Sequence, residues 1–341
     1  MDSRPEKIKH TFESLSNNNG RAGQRIHVRI DKSAPIKVFA ACTFPQKKLL
    51  LEIGPIKNSW LPQSFQKPRI KGLNVILKPC AQLPESDVKL LLELEQSDSV
   101  DIFSVFVART CDELDKVSHP ELAVKAIISL ISKWKDFFSG STDILSQDRQ
   151  TGLYGELYLL QYFVSEGINI GKTITSWTGS NKTSQDYEFG SIALEVKSSV
   201  AVDASKINIS NCRQLDDEGL DKLFLARVLF DVRQGENETL PKLIDILRQN
   251  IQEEAPECRL DFEEKLISAG YQTRHAELYT NRMYAKRELN FYQIKNGFPR
   301  LLEGALPLGL TKVSYEINLQ VCRDFIIDSN EVINALRICC D

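Results

Sequence analysis

From Gln24 onward the chain breaks into short segments in which apolar and polar residues alternate. Arg25-Ile26-His27-Val28-Arg29-Ile30 alternates strictly, and apolar runs follow at 36–41, 48–53 and 72–77, separated by Pro, Gly and Asn. Residues two apart share one face of a strand, so this period predicts a strand-rich N-terminal module. The polar stretch 1–23, with its turn signal Asn17-Asn18-Asn19-Gly20, reads as a frayed arm or a short lead-in helix. Pro84-Glu85-Ser86 opens a stretch read as helical through Leu90, Leu91 and Leu94. His119-Pro120-Glu121 opens a second helix, with Ala123, Ile127, Ile128, Ile131, Trp134 and Phe138 at helical spacing.

After Ser139-Gly140-Ser141-Thr142 the pattern changes. A helix is predicted from near Asp148 through Gly152-Leu153-Tyr154-Gly155-Glu156-Leu157 to about Ser165, stopped by Gly167. Strands follow at 173–177, 186–189 and 192–199, then a helix at 210–220 and a strand at 222–232. Helices at 240–252 and 257–269 and strands at 285–294 and 312–319 complete the reading, with no internal repeat. Helix, hairpin, strand, helix, strand predicts an α/β fold with a mixed central sheet flanked by helices. The expected division is a basic module over residues 1–115 and a second domain over 116–341.

Composition changes this picture little. With 42% hydrophobic and 26% charged residues the chain falls among soluble globular proteins. Its eight cysteines form no CxxC pair and its four histidines share no ligand spacing, so reduced thiols are expected and a zinc site is not. The N-terminus lacks the apolar core of a signal peptide, and no run nears the roughly 20 apolar residues that span a bilayer; the cytoplasm is the expected compartment, with no membrane partner. Charge adds more. Residues 1–80 hold 15 Lys+Arg against 5 Asp+Glu, although the chain as a whole carries −3. A basic front and an acidic remainder suit a protein whose first part grips nucleic acid while its second part holds carboxylates for a metal, although uneven surface charge gives the same count.

Candidate chemistry centres on Gln185-Asp186-Tyr187-Glu188-Phe189-Gly190-Ser191-Ile192-Ala193-Leu194-Glu195-Val196-Lys197. Gly190-Ser191 lies between two period-two runs and reads as a hairpin turn. Glu195 and Lys197 then point to one face of their strand, and the hairpin brings Asp186 to the same edge. Carboxylates crowded together repel one another, and a divalent cation relieves the conflict. Mg²⁺, or Mn²⁺, suits carboxylate and phosphate oxygens, and the set suits phosphodiester hydrolysis, with Lys197 orienting water or offsetting transition-state charge. The triplet (D/E)-x-K alone is weak, since it also occurs at Asp87-Val88-Lys89 and Glu263-Glu264-Lys265. Both of those fall in segments read as helical; only Glu195 follows a hairpin that carries an aspartate. A salt-bridged strand pair is the bland alternative.

Gln185-Asp186, eight intervening residues and Glu195-Val196-Lys197 resemble the signature of the PD-(D/E)XK nucleases, the restriction-endonuclease-like superfamily. The stretch 118–231 more closely resembles a bacterial group of these proteins associated with restriction and phage defence. The resemblance implies a restriction-endonuclease-like core, metal ligands at Asp186 and Glu195, a catalytic lysine at Lys197, and an auxiliary ligand or base at Glu156. It also implies a polar residue near the site on the next helix, where Arg213-Gln214-Leu215 stands. Gln185 occupies the position of the family's proline, which supplies backbone shape and no chemistry.

Neighbouring residues have plainer readings. Glu188 could serve as a ligand but is expected to face solvent, and Asp216-Asp217-Glu218 reads as a solvated helix end. Trp177 and Tyr187 could stack on bases and are expected in the core. Gln214 and Ser198 are candidate substrate contacts; for Ser198 and Ser199, phosphate contact and simple strand termination stay open. The expected activity is a Mg²⁺-dependent DNA endonuclease of a restriction or phage-defence system, acting with other subunits or as a homodimer. Its rivals are a catalytically inactive nucleic-acid-binding or scaffold subunit, and an enzyme acting on RNA.

Overall fold

The computed structural model describes residues 3–31, 33–62, 70, 72–80, 87–95, 99–139, 144–179, 184–202, 205–234, 238–310 and 313–340. It divides into two compact units, Met1–Thr142 and Asp143–Asp341.

The first unit contains α1 (Arg4–Asn17), β1 (Arg25–Asp31), β2 (Val38–Thr43), β3 (Lys48–Lys57), β4 (Leu73–Pro79), β5 (Asp87–Leu94), α2 (Val100–Asp115) and α3 (Pro120–Ser139). Its five strands form an antiparallel sheet in the order β1-β2-β3-β5-β4. The lead-in helix forms as α1, where the Ser3 N–H donates to Glu6 Oε2 at 2.9 Å. The stretch through Leu90, Leu91 and Leu94 is a strand rather than a helix. As β5 it lies between β3 and β4, and Leu90, Leu91, Leu92 and Leu94, which point to both faces of the sheet, are all buried, so the apolar run loses any strand period. Its expected opening at 84–86 lies outside the described residues, as do 140–142 of the punctuating loop and Lys312. Helix α2 has no counterpart in the sequence reading. Because α3 packs on α2, the division falls at residue 142 rather than 115.

That later boundary also lowers the charge contrast, since residues 1–142 carry 21 Lys+Arg against 16 Asp+Glu. Many of the cations are already paired. Arg4 meets Asp31, Asp112 and Asp115, Lys9 meets Asp101, and the buried Glu52 accepts from both Arg25 and Lys89. The triplet Asp87-Val88-Lys89 is thereby a structural ion-pair element on β5.

The second unit contains α4 (Gln147–Ser165), α5 (Ile170–Ser176), β6 (Tyr187–Phe189), β7 (Ile192–Ser199), β8 (Lys206–Ile209), β9 (Lys222–Arg233), α6 (Leu240–Glu254), α7 (Arg259–Ser268), β10 (Met283–Ile294), β11 (Tyr315–Asn318), β12 (Ile326–Ile327) and α8 (Ser329–Cys340). The main sheet runs β12-β10-β9-β7-β6 and is mixed, with β7 and β9 parallel and its other pairs antiparallel. Alternation along β7 and β9 gives the sheet two buried faces. Leu194, Val196, Phe224, Ala226 and Val228 pack with Leu157, Leu160 and Phe163 of α4, Ile244 and Leu247 of α6, and Leu336 of α8. Ala193, Leu223 and Leu225 face a smaller cluster with Ile207, Ile209 and Ile317 from the β8–β11 ribbon. This is the α/β core with a mixed central sheet expected for a restriction-endonuclease-like protein, joined to a strand-rich first unit.

Two segments of this unit differ from expectation. Residues 170–176 form α5, not a strand: the Asn169 side chain accepts from the Lys172 amide at 2.9 Å, a cap that outweighs the β-branched Thr173, Ile174 and Thr175. The expected helix at 210–220 shrinks to a 3-10 turn, Cys212–Leu215. Helix α8 again has no sequence-based counterpart. Among the described residues no helix is long and apolar enough to cross a membrane.

Candidate active site

The β6–β7 hairpin turns through Gly190, whose φ of 61° suits a residue without Cβ. It pairs Tyr187 with Leu194 and Phe189 with Ile192. Asp186 stands one residue before β6, and its Oδ2 accepts the Val196 N–H at 2.7 Å. The hairpin therefore holds this carboxylate against the backbone between Glu195 and Lys197. Glu195 is 1% exposed, with one oxygen 2.7 Å from Lys197 Nζ and the other, Oε2, buried without a hydrogen-bond partner. Lys197 Nζ also donates to Gln214 Oε1 at 3.1 Å.

Glu156 reaches this group from α4. A Cβ at the preceding Gly155 would run into the Ser198 side chain, so the helix lies hard against β7 because this position is glycine. The Glu156 carboxylate accepts the Trp177 indole N–H at 2.8 Å, and its main-chain carbonyl accepts the Tyr187 hydroxyl at 2.6 Å. Trp177 and Tyr187 are thus core residues that hold Glu156.

Electrostatics follow from enclosure. Burial, and then Asp186, push the Glu156 carboxyl up to about 8, against the indole hydrogen bond and Lys197. Burial takes Asp186 to about 6, although the Val196 amide and Lys197 pull the other way. Glu195 is raised well above the ordinary carboxylate range by burial and by Asp186, with Lys197 opposing. Three carboxyls that each resist ionisation beside a single lysine form an acidic centre short of positive charge.

Among the described residues no three His, Cys, Asp or Glu side chains are already arranged as a metal-binding group. Glu156 is engaged with Trp177 and Glu195 with Lys197. The donor chemistry nevertheless fits a hard divalent cation, because these are carboxylate oxygens and Glu195 Oε2 is buried with no partner. A cation that binds few protein ligands and takes water and phosphate for the rest suits such a set.

Residues 8–320 match the family model described as "Putative PD-(D/E)XK family member, (DUF4420)". The chain belongs to this family. No curated protein and no solved structure matches it. Membership in DUF4420 points to nuclease activity, and PD-(D/E)XK nucleases generally use divalent metals.

Within this DUF4420 protein the hairpin brings Asp186, Glu195 and Lys197 together, with Glu156 beside them and Gln214 on the lysine. Ser198 is different. Odd and even positions of β7 face opposite ways, and Ser198 Oγ is buried against Gly155 without a partner, away from the face that carries Lys197. Substrate contact at Ser198 stays a proposal, and the packing against Gly155 is what the structure places there. Glu188 is exposed, and Asp217 pairs with Arg300 at 2.8 Å. Glu263 of the third triplet is held by Arg248 and Arg259, while Lys265 Nζ donates to the Ile174 and Thr175 carbonyls. Sequence reasoning missed Gly155 as a packing residue, although the Gly-Glu pair within a long helix was a usable signal.

Proposed function

We propose that this protein is a Mg²⁺- or Mn²⁺-dependent DNA endonuclease of a restriction or phage-defence system. The observation that carries the reading is the buried Glu195 carboxylate, with one oxygen on Lys197 and the other without a partner, beside Asp186. Asp186 and Glu195 would hold the cation, with Glu156 as an auxiliary ligand; when bound, the cation would polarise the scissile phosphate and acidify a water. Lys197 orients the attacking water or offsets charge on the transition state. Glu156, held beside this group by the Trp177 indole, would otherwise serve as a base. The excess of Lys and Arg in the first unit supports a role there in gripping duplex DNA, and cutting both strands favours a homodimer or partner subunits.

One observation favours the rival reading of an inactive binding or scaffold subunit. Glu156 and Glu195 are each occupied, and no three-residue metal group stands ready among the described residues. Against it, a protein that only binds has no physical need for a costly acidic centre.

The test is cleavage of plasmid, single-stranded DNA and RNA with Mg²⁺ or Mn²⁺, comparing wild type with Lys197→Ala and Asp186→Ala. Each substitution is expected to lower the rate by at least about a hundredfold. Wild type that cuts nothing, alone or with neighbouring gene products, favours the scaffold; cleavage of RNA alone reassigns the substrate.

A further inference from the structure

Gln185 has a side-chain role that the proline of the family motif could not perform. It is buried, and its Nε2 donates to the Arg213 carbonyl at 2.8 Å and to the Asp216 carbonyl at 3.2 Å. Those carbonyls lie within and just after the 3-10 turn Cys212–Leu215, which presents Gln214. Gln214 Oε1 accepts from the Ser210 amide at 3.0 Å and from Lys197 Nζ at 3.1 Å. Arg300 holds the same turn from another direction, through the Leu215 carbonyl at 2.6 Å and Asp217 at 2.8 Å. Meanwhile the Gln185 backbone is fixed to the strand entry, since Thr178 Oγ1 donates to the Gln185 carbonyl at 2.7 Å and to the Asp186 carbonyl at 3.1 Å.

We propose that Gln185 is a positioning residue, which ties the turn carrying Gln214 to the strand entry carrying Asp186 and so fixes Lys197 relative to that carboxylate. The physical reason is directional. A lysine ammonium on a flexible stem takes its place from the acceptors around it, and here these are Glu195 on its own strand and Gln214 on a turn. The turn closes on itself through the Gln214 and Asp216 amides, which donate to the Asn211 and Arg213 carbonyls at 3.1 and 3.2 Å, and the two bonds from the Gln185 amide add the tie that fixes this turn against the strand entry. Proline at residue 185 would offer no side-chain donor. The geometry of this tie stands by itself; its catalytic consequence rests on the proposed nuclease reading.

The test is a double-mutant cycle in the full-length protein with Gln185→Met, which keeps length and removes the donors, and Gln214→Ala. Single-turnover cleavage by Gln185→Met is expected to fall about ten- to a hundredfold, as for a displaced catalytic group, with DNA affinity changed less than about threefold. In the Gln214→Ala background the same substitution is expected to cost almost nothing more, because its effect runs through Gln214. An equal loss in both backgrounds, or no loss in either, overturns the proposal. A second readout does not need cleavage: the rate of amine acylation at Lys197, followed by mass spectrometry, should rise in Gln185→Met and rise no further when Gln214→Ala is added. Unchanged acylation at Lys197 refutes the tie, whereas an inactive wild type with altered acylation leaves the tie standing and sinks the nuclease reading. If Gln185→Met does not fold, Gln185→Asn, whose stem is too short to reach both carbonyls, takes its place with the same expected outcomes.

Discussion

The Trp177 indole N–H holds the Glu156 carboxylate at 2.8 Å, so this acid is engaged in the core of the second unit before any ligand arrives. Glu156→Gln keeps an acceptor for the indole and removes the charge. At pH 8 without metal, the variant is expected to gain roughly 1–3 kcal/mol of stability, because ionising the buried acid costs free energy. Urea midpoints measure this. A loss of stability would show that the carboxylate is a net stabiliser and that its enclosure has been misjudged.

The pH dependence has a defined sign. Glu156 rises to about 8, Asp186 to about 6, and Glu195 also stands above its ordinary value near 4.5. The folded state therefore holds these protons more tightly than the unfolded chain. Their contribution is most favourable below about pH 4 and is lost as pH climbs towards 8. Added Mg²⁺ should restore stability more at pH 8 than at pH 5. Thermal melts at both values, with and without the ion, would contradict this if the increments were equal.

Gly155→Ala tests the approach of α4 to β7. Alanine at an open helical site would stabilise by about 1 kcal/mol. Here the added methyl meets Ser198, and a loss of about 1–3 kcal/mol is expected, with partial recovery in Gly155→Ala combined with Ser198→Gly. A stabilised single variant would mean that the contact is slack.

Glu263→Ala separates a structural acid from a candidate catalytic one. Burial alone would raise this carboxyl, but Arg248 and Arg259 bring it below its ordinary value. Its contribution is present at neutral pH and is lost on acidification, opposite to the Glu156 group. Removal should cost roughly 3–5 kcal/mol while leaving cleavage per folded molecule unchanged. Reduced turnover with intact stability would place Glu263 in the chemistry.

The hairpin was readable because Ile192, Leu194 and Val196 line one face of β7 while Glu195 and Lys197 interrupt the other, and Gly190 marks the turn. The run at 90–94 was not, because a central strand buried on both sides looks like a helix interior. Thr173, Ile174 and Thr175 favoured a strand by local preference, and the Asn169 cap decided otherwise. Residues 210–220 read as a helix because their composition permits one; Gln185 and Arg300, distant in sequence, hold them as a turn. Contacts of that range leave no mark in local periodicity, and the roles of Gln185 and Trp177 stayed hidden for the same reason.

The parallel step from β7 to β9 obliges the chain to travel back along the sheet before resuming its direction. The return path between them carries the turn that supports Lys197, and its described residues contain no α-helix. Extra residues spliced into that path would leave the strand order intact yet detach the lysine from its support. Chains lengthened there should keep the architecture and fall silent, a fate distinct from that of chains lengthened at an ordinary surface loop.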